Sequence, residues 1–271
     1  SLTPILPANK VMEHILNDLN EAEQLLANDP IINYGKIAVL EEDQDDVDED
    51  DSEYGYEGSD FYRYRNLRLN YYAVKALQAR AHLYAGNTVE ANTAAQFVID
   101  EASKYFEWIN PTDIIGSNPD RIFYPEVLFG VQNREINNRY KDYFVDDLDV
   151  KVILAPNTAQ LEVNTFEDNQ NDYRYTSTWI LPNTGSKEFR TFYKYANIDF
   201  DQQYMQPLIK MSEMYYVVAE TSTNEATALQ YLNTVRYNRG LIDLEVGVDV
   251  SAEITKEFRR EFYGEGQLFF Y

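Results

Sequence analysis

Apolar residues recur at three- and four-residue steps in several stretches of the chain, and each stretch predicts a packed helix. Residues 9–27 carry Met12, Ile15, Leu19, Ala22 and Leu26 on one face, and Asp29-Pro30 stops the run. A second helix is predicted from Leu67 to Ala85, with Tyr72, Ala73, Ala76, Leu77, Arg80, Ala81 and Tyr84 along one side. Gly86-Asn87 then turns the chain into a third, which shows Ala91, Ala94, Ala95, Val98, Ala102 and Tyr105 on one face. Two helices of similar length joined by so tight a turn pack antiparallel, and the abundant alanine allows close approach.

The pattern recurs at 207–239. Pro207 precedes an opening helix whose apolar face runs Leu208, Met211, Ser212, Tyr215, Val218 and Ala219. A short turn, TSTN, follows, and Ala228, Leu229, Leu232 and Val235 line the partner. Ser222 with Glu225 fits a capping box, and Gly240 fits the C-terminal stop. A last helix is predicted from near Ser251, with Ile254, Phe258 and Phe262 as its apolar edge. Repeated small-residue hairpins are a property of tetratricopeptide (TPR) units, and AGNTVEA approximates their turn spacing, although the full TPR consensus is absent.

The expected fold is therefore mainly α: one domain over 1–271, with TPR-like helical hairpins as a scaffold over about 9–27, 67–106 and 207–271. Between them, residues 107–206 are rich in Asn, Asp, Pro and aromatics and predict a loop-rich insertion with a few short strands. EVLFGVQ reads as one strand, and residues 173–196 as a strand pair around Asn183 to Gly185. Long loops within a compact domain are usually functional, so the ligand surface is expected here.

Charge narrows the partners. With 46 acidic against 23 basic residues the formal net charge is −23, which repels phosphate backbones and anionic lipid and argues against nucleic acid. The excess peaks in EEDQDDVDEDDSE, residues 41–53, within an acidic loop expected over 41–60. Cysteine is absent, which removes thiolate metal sites and cysteine nucleophiles. No apolar run is long enough to span a bilayer and none marks a signal peptide. The chain begins at Ser1, so it is read as a mature or trimmed product with any membrane anchor lost upstream.

Catalytic chemistry finds few candidates. His14 and His82 both fall in predicted helices without a ligand partner at i+4. No nucleophile elbow, phosphate loop or dinucleotide fingerprint occurs, and no pair of acids stands out at glycosidase spacing. Asp46, Asp48, Asp50 and Glu57 match positions 1, 3, 5 and 12 of an EF-hand loop, which raises calcium, but position six is Asp51 instead of Gly. A solvated acidic loop without a cofactor is the preferred reading. The 23 tyrosines offer flat apolar faces with polar tips, suited to sugar rings. Trp108, Tyr143, Tyr173, Tyr175 and Trp179, all in the loop-rich middle, are the candidates for stacking on a saccharide.

Three segments resemble the SusD/RagB proteins, nutrient-binding outer-membrane lipoproteins of Gram-negative bacteria. They are RLNYYAVKALQARAHLYAGN (68–87); PLIKMSEMYYVVAE with ALQYLNTVRYNRGL (207–241); and ITKEFRREFYGEGQLFF (254–270). EVLFGVQ and NDYRY with a later KYA add weaker support, in family order. Lys210 stands where the family more often has Arg, and Gln267 where Arg is common; the family's lipidated cysteine is not in this chain, which looks like a member missing both ends. The resemblance implies a non-enzymatic oligosaccharide binder on the external face of the outer membrane, lipid-anchored and delivering cargo to a SusC-like TonB-dependent transporter. It also implies that Glu213, Glu220, Arg236, Arg239, Arg259, Arg260, Glu261 and Glu265 are scaffold charges tying the second hairpin to the final helix. A TPR-like peptide-binding scaffold and a glycoside hydrolase are the alternatives.

Overall fold

In the computed structural model, residues 5–36, 64–182, 187–196, 202 and 204–269 are described. Along the chain run α1 (Ala8–Leu25), α2 (Ile31–Tyr34), α3 (Tyr71–Tyr84), α4 (Thr88–Ala102), β1 (Val127–Gln132) and α5 (Ile136–Tyr143). They are followed by α6 (Tyr173–Thr178), β2 (Trp179–Ile180), β3 (Thr191–Phe192), β4 (Met205–Lys210), α7 (Met211–Thr221), α8 (Glu225–Tyr237) and α9 (Val250–Glu261). The fold is mainly helical, with short strands.

Alanine closes the first hairpin. Ala73, Ala76 and Ala79 of α3 and Ala91, Ala95 and Ala102 of α4 are fully buried, so two helix backbones approach where larger side chains would hold them apart. Gly86, at φ +78°, supplies the left-handed residue that ends α3 and starts the turn. Asn70 caps α3 by accepting from the Ala73 amide (2.9 Å), while its own amide donates to the Leu128 carbonyl (2.8 Å) and so ties the helix start to β1. α4 packs in turn on α7 through Met211, Met214, Val217 and Val218, and the other side of α7, with Tyr216 and Ala219, packs on α8 and α9 through Leu232, Val235, Ile254 and Phe262. α1 behaves differently: it has no fully buried residue, and it meets α3 partly through polar contacts, with Lys75 and Gln78 both reaching Glu23 (3.0 and 2.8 Å).

Three expectations are corrected. Residues 207–210 are not the first turn of a helix: β4 pairs antiparallel with β1, Gly130 facing Pro207 and Gln132 facing Met205. The pairing satisfies backbone groups of β1 that an early helix would leave open, and helix begins only at Met211. Gly130 is required there, because a Cβ would sit 2.9 Å from Met205 Cγ. Second, α8 is capped by Asn224, which accepts from the Thr227 amide (3.0 Å); the Ser222 hydroxyl instead donates back to the Val218 carbonyl (2.6 Å), so no capping box forms. In the expected strand pair, Tyr173–Thr178 is helical, and only Trp179–Ile180 and Thr191–Phe192 pair; residues 183–185 of its turn lie outside the described residues.

The second hairpin and α9 are joined by buried charge. Arg239, fully buried, forks onto Glu126 (2.8 and 2.5 Å) and onto Glu261 (2.9 and 2.8 Å). Around it, Arg236 and Arg260 share Glu257 (2.7 and 3.1 Å), Arg174 bridges Asp172 and Glu257 (2.7 and 2.8 Å), and Lys210 bridges Glu261 and Glu265 (2.9 and 3.0 Å). Lys194 also meets Glu265. Three of the expected ties are corrected. Glu213 pairs with Arg80 (2.6 Å), joining α7 to the first hairpin instead of to α9. Glu220 and Arg259 are exposed, and neither forms an ion pair among the described residues, because each is rotated off the inward face of its helix.

Burial alone would raise the Glu261 carboxyl, but Arg239 and Lys210 more than reverse this and hold it well below its ordinary 4.5. Because the folded value lies below the unfolded one, this stabilisation is complete above pH 4.5 and is lost as pH falls through the folded value. The urea midpoint is therefore expected to hold on acidification towards pH 4.5 and to drop below it. Glu261→Gln should lower stability at neutral pH by roughly 3–5 kcal/mol, since it leaves Arg239 half paired in the interior. An unchanged midpoint in that variant would remove the network from any structural role.

Candidate functional site

Beside α9, the loop-rich insertion is pinned to the helical frame. Residues 159–165 form a single wide π-helical turn, a form often found where a helix serves a site. Arg260 holds this turn to α9: its Nε donates to the Thr165 carbonyl (2.6 Å) and its Nη2 to Glu167 (2.6 Å), which Lys256 also grips (2.8 Å). Beneath it, Leu161 and Phe166 join Tyr175, Trp179 and Phe192 in a second core cluster, and Trp179 packs edge-on against Tyr263, centroids 4.9 Å apart.

Between turn and helix lies a cleft of about 510 Å³, within the ordinary range for small-ligand sites. Its buried lining is apolar: Leu161, Phe166 and Trp179. Its more exposed lining mixes polar and apolar groups: Gln160 and Thr165 from the π turn, Thr255 and Arg259 from α9, Tyr263 just beyond it, and the apolar Pro156 and Leu268. Thr255 and Arg259, four residues apart, share one edge of α9, and Tyr263 lies just beyond the helix end. Burial raises the Tyr263 phenol, which keeps it a neutral hydrogen-bond donor beside an aromatic face.

Of the five aromatic candidates, the cleft brings in one. Trp179 borders it, although at 2% exposure it contributes an edge and not an open face. Tyr175 is buried, its ring covered by the Arg190 guanidinium at 4.5 Å and its hydroxyl bonded to Glu162 (3.1 Å), so it is packed and not presented. Trp108 lies half-buried between Tyr215 (5.1 Å) and Arg239 (5.4 Å). Tyr173 packs against Ile109, Ile114 and Phe123 and lies against Gly240, where a Cβ would meet its ring at 2.5 Å. Tyr143 is exposed on α5, away from these residues in the lining. Sequence reasoning missed Gln160, Arg259 and Tyr263. The signal available for two of them was the four-residue step from Arg259 to Tyr263, which separates them from inward-facing Glu261.

The calcium candidates Asp46, Asp48, Asp50 and Glu57 lie outside the described residues. Among the described residues no group of three or more His, Cys, Asp and Glu is arranged to hold a metal ion. His14 is exposed, and the His82 ring lies 3.3 Å from the Asn87 amide. No described helix is long and apolar enough to cross a membrane.

Comparison with known proteins agrees with this architecture. The SusD family matches residues 44–270, and the chain belongs to that family. Surface glycan-binding protein A from Bacteroides uniformis superposes with a TM-score of 0.63 at 16% identity, covering 99% of this chain and 57% of that one. A SusD homolog from Bacteroides thetaiotaomicron VPI-5482 gives 0.62 at 17%, covering 94% and 57%. A SusD-like carbohydrate binding protein from Bacteroides vulgatus ATCC 8482 gives 0.60 at 18%, covering 95% and 50%. The chain thus spans about half the length of these structures. A search of curated protein sequences returns no match.

The two tryptophans make the packing measurable. In a Trp108→Phe variant, the emission of Trp179 should be blue-shifted and poorly quenched by acrylamide, as befits a ring at 2% exposure. Trp179→Ala should cost about 3–5 kcal/mol in urea unfolding, the usual effect of emptying a large core site. Quenching as efficient as that of free tryptophan would contradict the burial that shapes the cleft.

Proposed function

We propose that this chain is a non-enzymatic saccharide-binding unit, and that the cleft between the π turn and α9 is where a sugar residue sits. The observation that carries the reading is the lining itself: apolar rings below, with an amide, hydroxyls, a phenol and a guanidinium around them, on a SusD-family frame. Sugars present apolar C–H faces and rims of hydroxyls, and such a mixed surface pairs with both. The relatives described as glycan- and carbohydrate-binding support the ligand class. Among the described residues, no carboxylate or histidine lines the cleft and Arg259 is its one charged residue, a lining that supports binding rather than acid–base hydrolysis.

Family membership further supports a place on the external face of the outer membrane, through a lipid anchor that is not part of this chain, and hand-over of the ligand to a SusC-like TonB-dependent transporter. A carrier must release what it holds. With ordinary association rates, release faster than about once per second corresponds to a dissociation constant of about a micromolar or weaker.

A glycan array followed by calorimetric titration tests this. Binding to one polysaccharide class, with the oligosaccharide recovered uncut, is expected, and Tyr263→Ala should weaken it roughly threefold to tenfold. Cleavage of the oligosaccharide would replace the carrier with a hydrolase, and binding to peptides without glycans would favour a helical-repeat scaffold. Co-purification with a neighbouring barrel tests the delivery step.

A further inference from the structure

Arg259 stands apart from the cations around it. On α8 and α9, Arg236, Arg239, Lys256 and Arg260 each hold a carboxylate within 3.1 Å. Arg259 is exposed and holds none among the described residues. Four acids of α9 and of the facing segment are engaged elsewhere: Glu253 by Lys256, Glu257 by Arg236 and Arg260, Glu167 by Arg260 and Lys256, and Glu162 by Arg190 and the Tyr175 hydroxyl. Among the described residues, Arg259 is also the one charged residue in the cleft lining. In a chain of net charge −23, this cleft therefore carries a positive charge with no ion-pair partner among the described residues.

We propose that the cleft selects saccharides bearing a carboxylate, with Arg259 forming the paired N–H to oxygen contacts that a planar guanidinium makes to a planar carboxylate. The inference rests on the saccharide-binding reading and adds the charge of the ligand. A neutral sugar would use Tyr263, Gln160 and the threonine hydroxyls but would gain little from a guanidinium, whereas a uronate fits its fork geometry. The negative charge elsewhere does not prevent this, because at about 0.15 M salt it is screened over roughly 8 Å while the contact is direct. Tyr263, four residues beyond Arg259, lines the same cleft, half-buried against Trp179 and Phe192.

Calorimetric titration of the full chain with galacturonate, glucuronate and mannuronate trimers, each beside its methyl ester, tests the proposal. At least one acid trimer should bind about tenfold or more tighter than its ester, and Arg259→Gln should abolish that preference. Arg259→Lys, which keeps the charge and loses the fork, should restore part of it. The thermal midpoint of Arg259→Gln should match that of the parent, because the side chain ties nothing together. If acid and ester bind equally, or if Arg259→Gln weakens both alike, the proposal fails. If only neutral glycans from the array bind, and the variant binds them unchanged, the proposal fails while saccharide binding stands. If neither charged nor neutral glycans bind, both fall.

Discussion

The doubly forked Arg239 is the interaction on which the remaining arrangement depends. It lies at the end of α8, fully buried, and reaches two carboxylates far apart in sequence: Glu126 just before β1 and Glu261 at the end of α9. Its Trp108 and Phe123 neighbours (5.4 and 4.6 Å) cover it with aromatic rings. Buried ions lose hydration that mutual attraction only roughly replaces, so the network adds little to overall stability compared with an apolar core of the same shape. What it does add is uniqueness. A hydrophobic α9 could slide or rotate against α7 and α8 at small cost, whereas a helix carrying Glu257 and Glu261 fits three arginines and a lysine in one register.

That fixed register divides α9 into two working faces. Glu257 and Glu261 point inward to the charges of the frame. Thr255 and Arg259 point to the cleft, and Tyr263 lines it just beyond the helix end. Arg260 lies between the faces, with one side of its guanidinium on Glu257 and the other on Glu167 and the π turn. The cleft is thus bounded by an element held through ionic ties, so the spacing of its two sides follows from the same contacts that set the fold.

The helical hairpins were legible in the sequence because alanine stripes and the Gly86 and Gly240 stops are local signals with a local cause. Gly240 also had a less visible role: a Cβ there would meet the Asn171 carbonyl at 2.5 Å, so its absence lets the insertion close on α8. β4 was not legible, since LIK before MSEM continues a helical spacing and only the partner strand, nearly 80 residues earlier, makes an extended form worthwhile. The charge ties were legible as a set and not one by one. Arg259 and Arg260 are adjacent and chemically identical, yet a rotation of about 100° sends one to the cleft and the other to the interior. Residue type alone does not separate a stacking platform from core packing: Tyr175 and Trp179, both candidates for stacking, are buried in the second core cluster.

A division of labour between rigid and weak contacts follows from these energetics. In the frame, Glu257, Glu261 and Glu265 are each held by two or more cations, which makes the cost of misplacing α9 several times thermal energy. In the cleft, the polar groups are mostly single and solvent-facing, and water competes with any ligand for them, so each contact contributes little and is broken quickly. A site that must form and empty repeatedly benefits from that weakness only if its walls do not move with each event. The buried ties of α9 provide fixed walls without contributing to ligand affinity, which lets the frame be specific and the binding reversible.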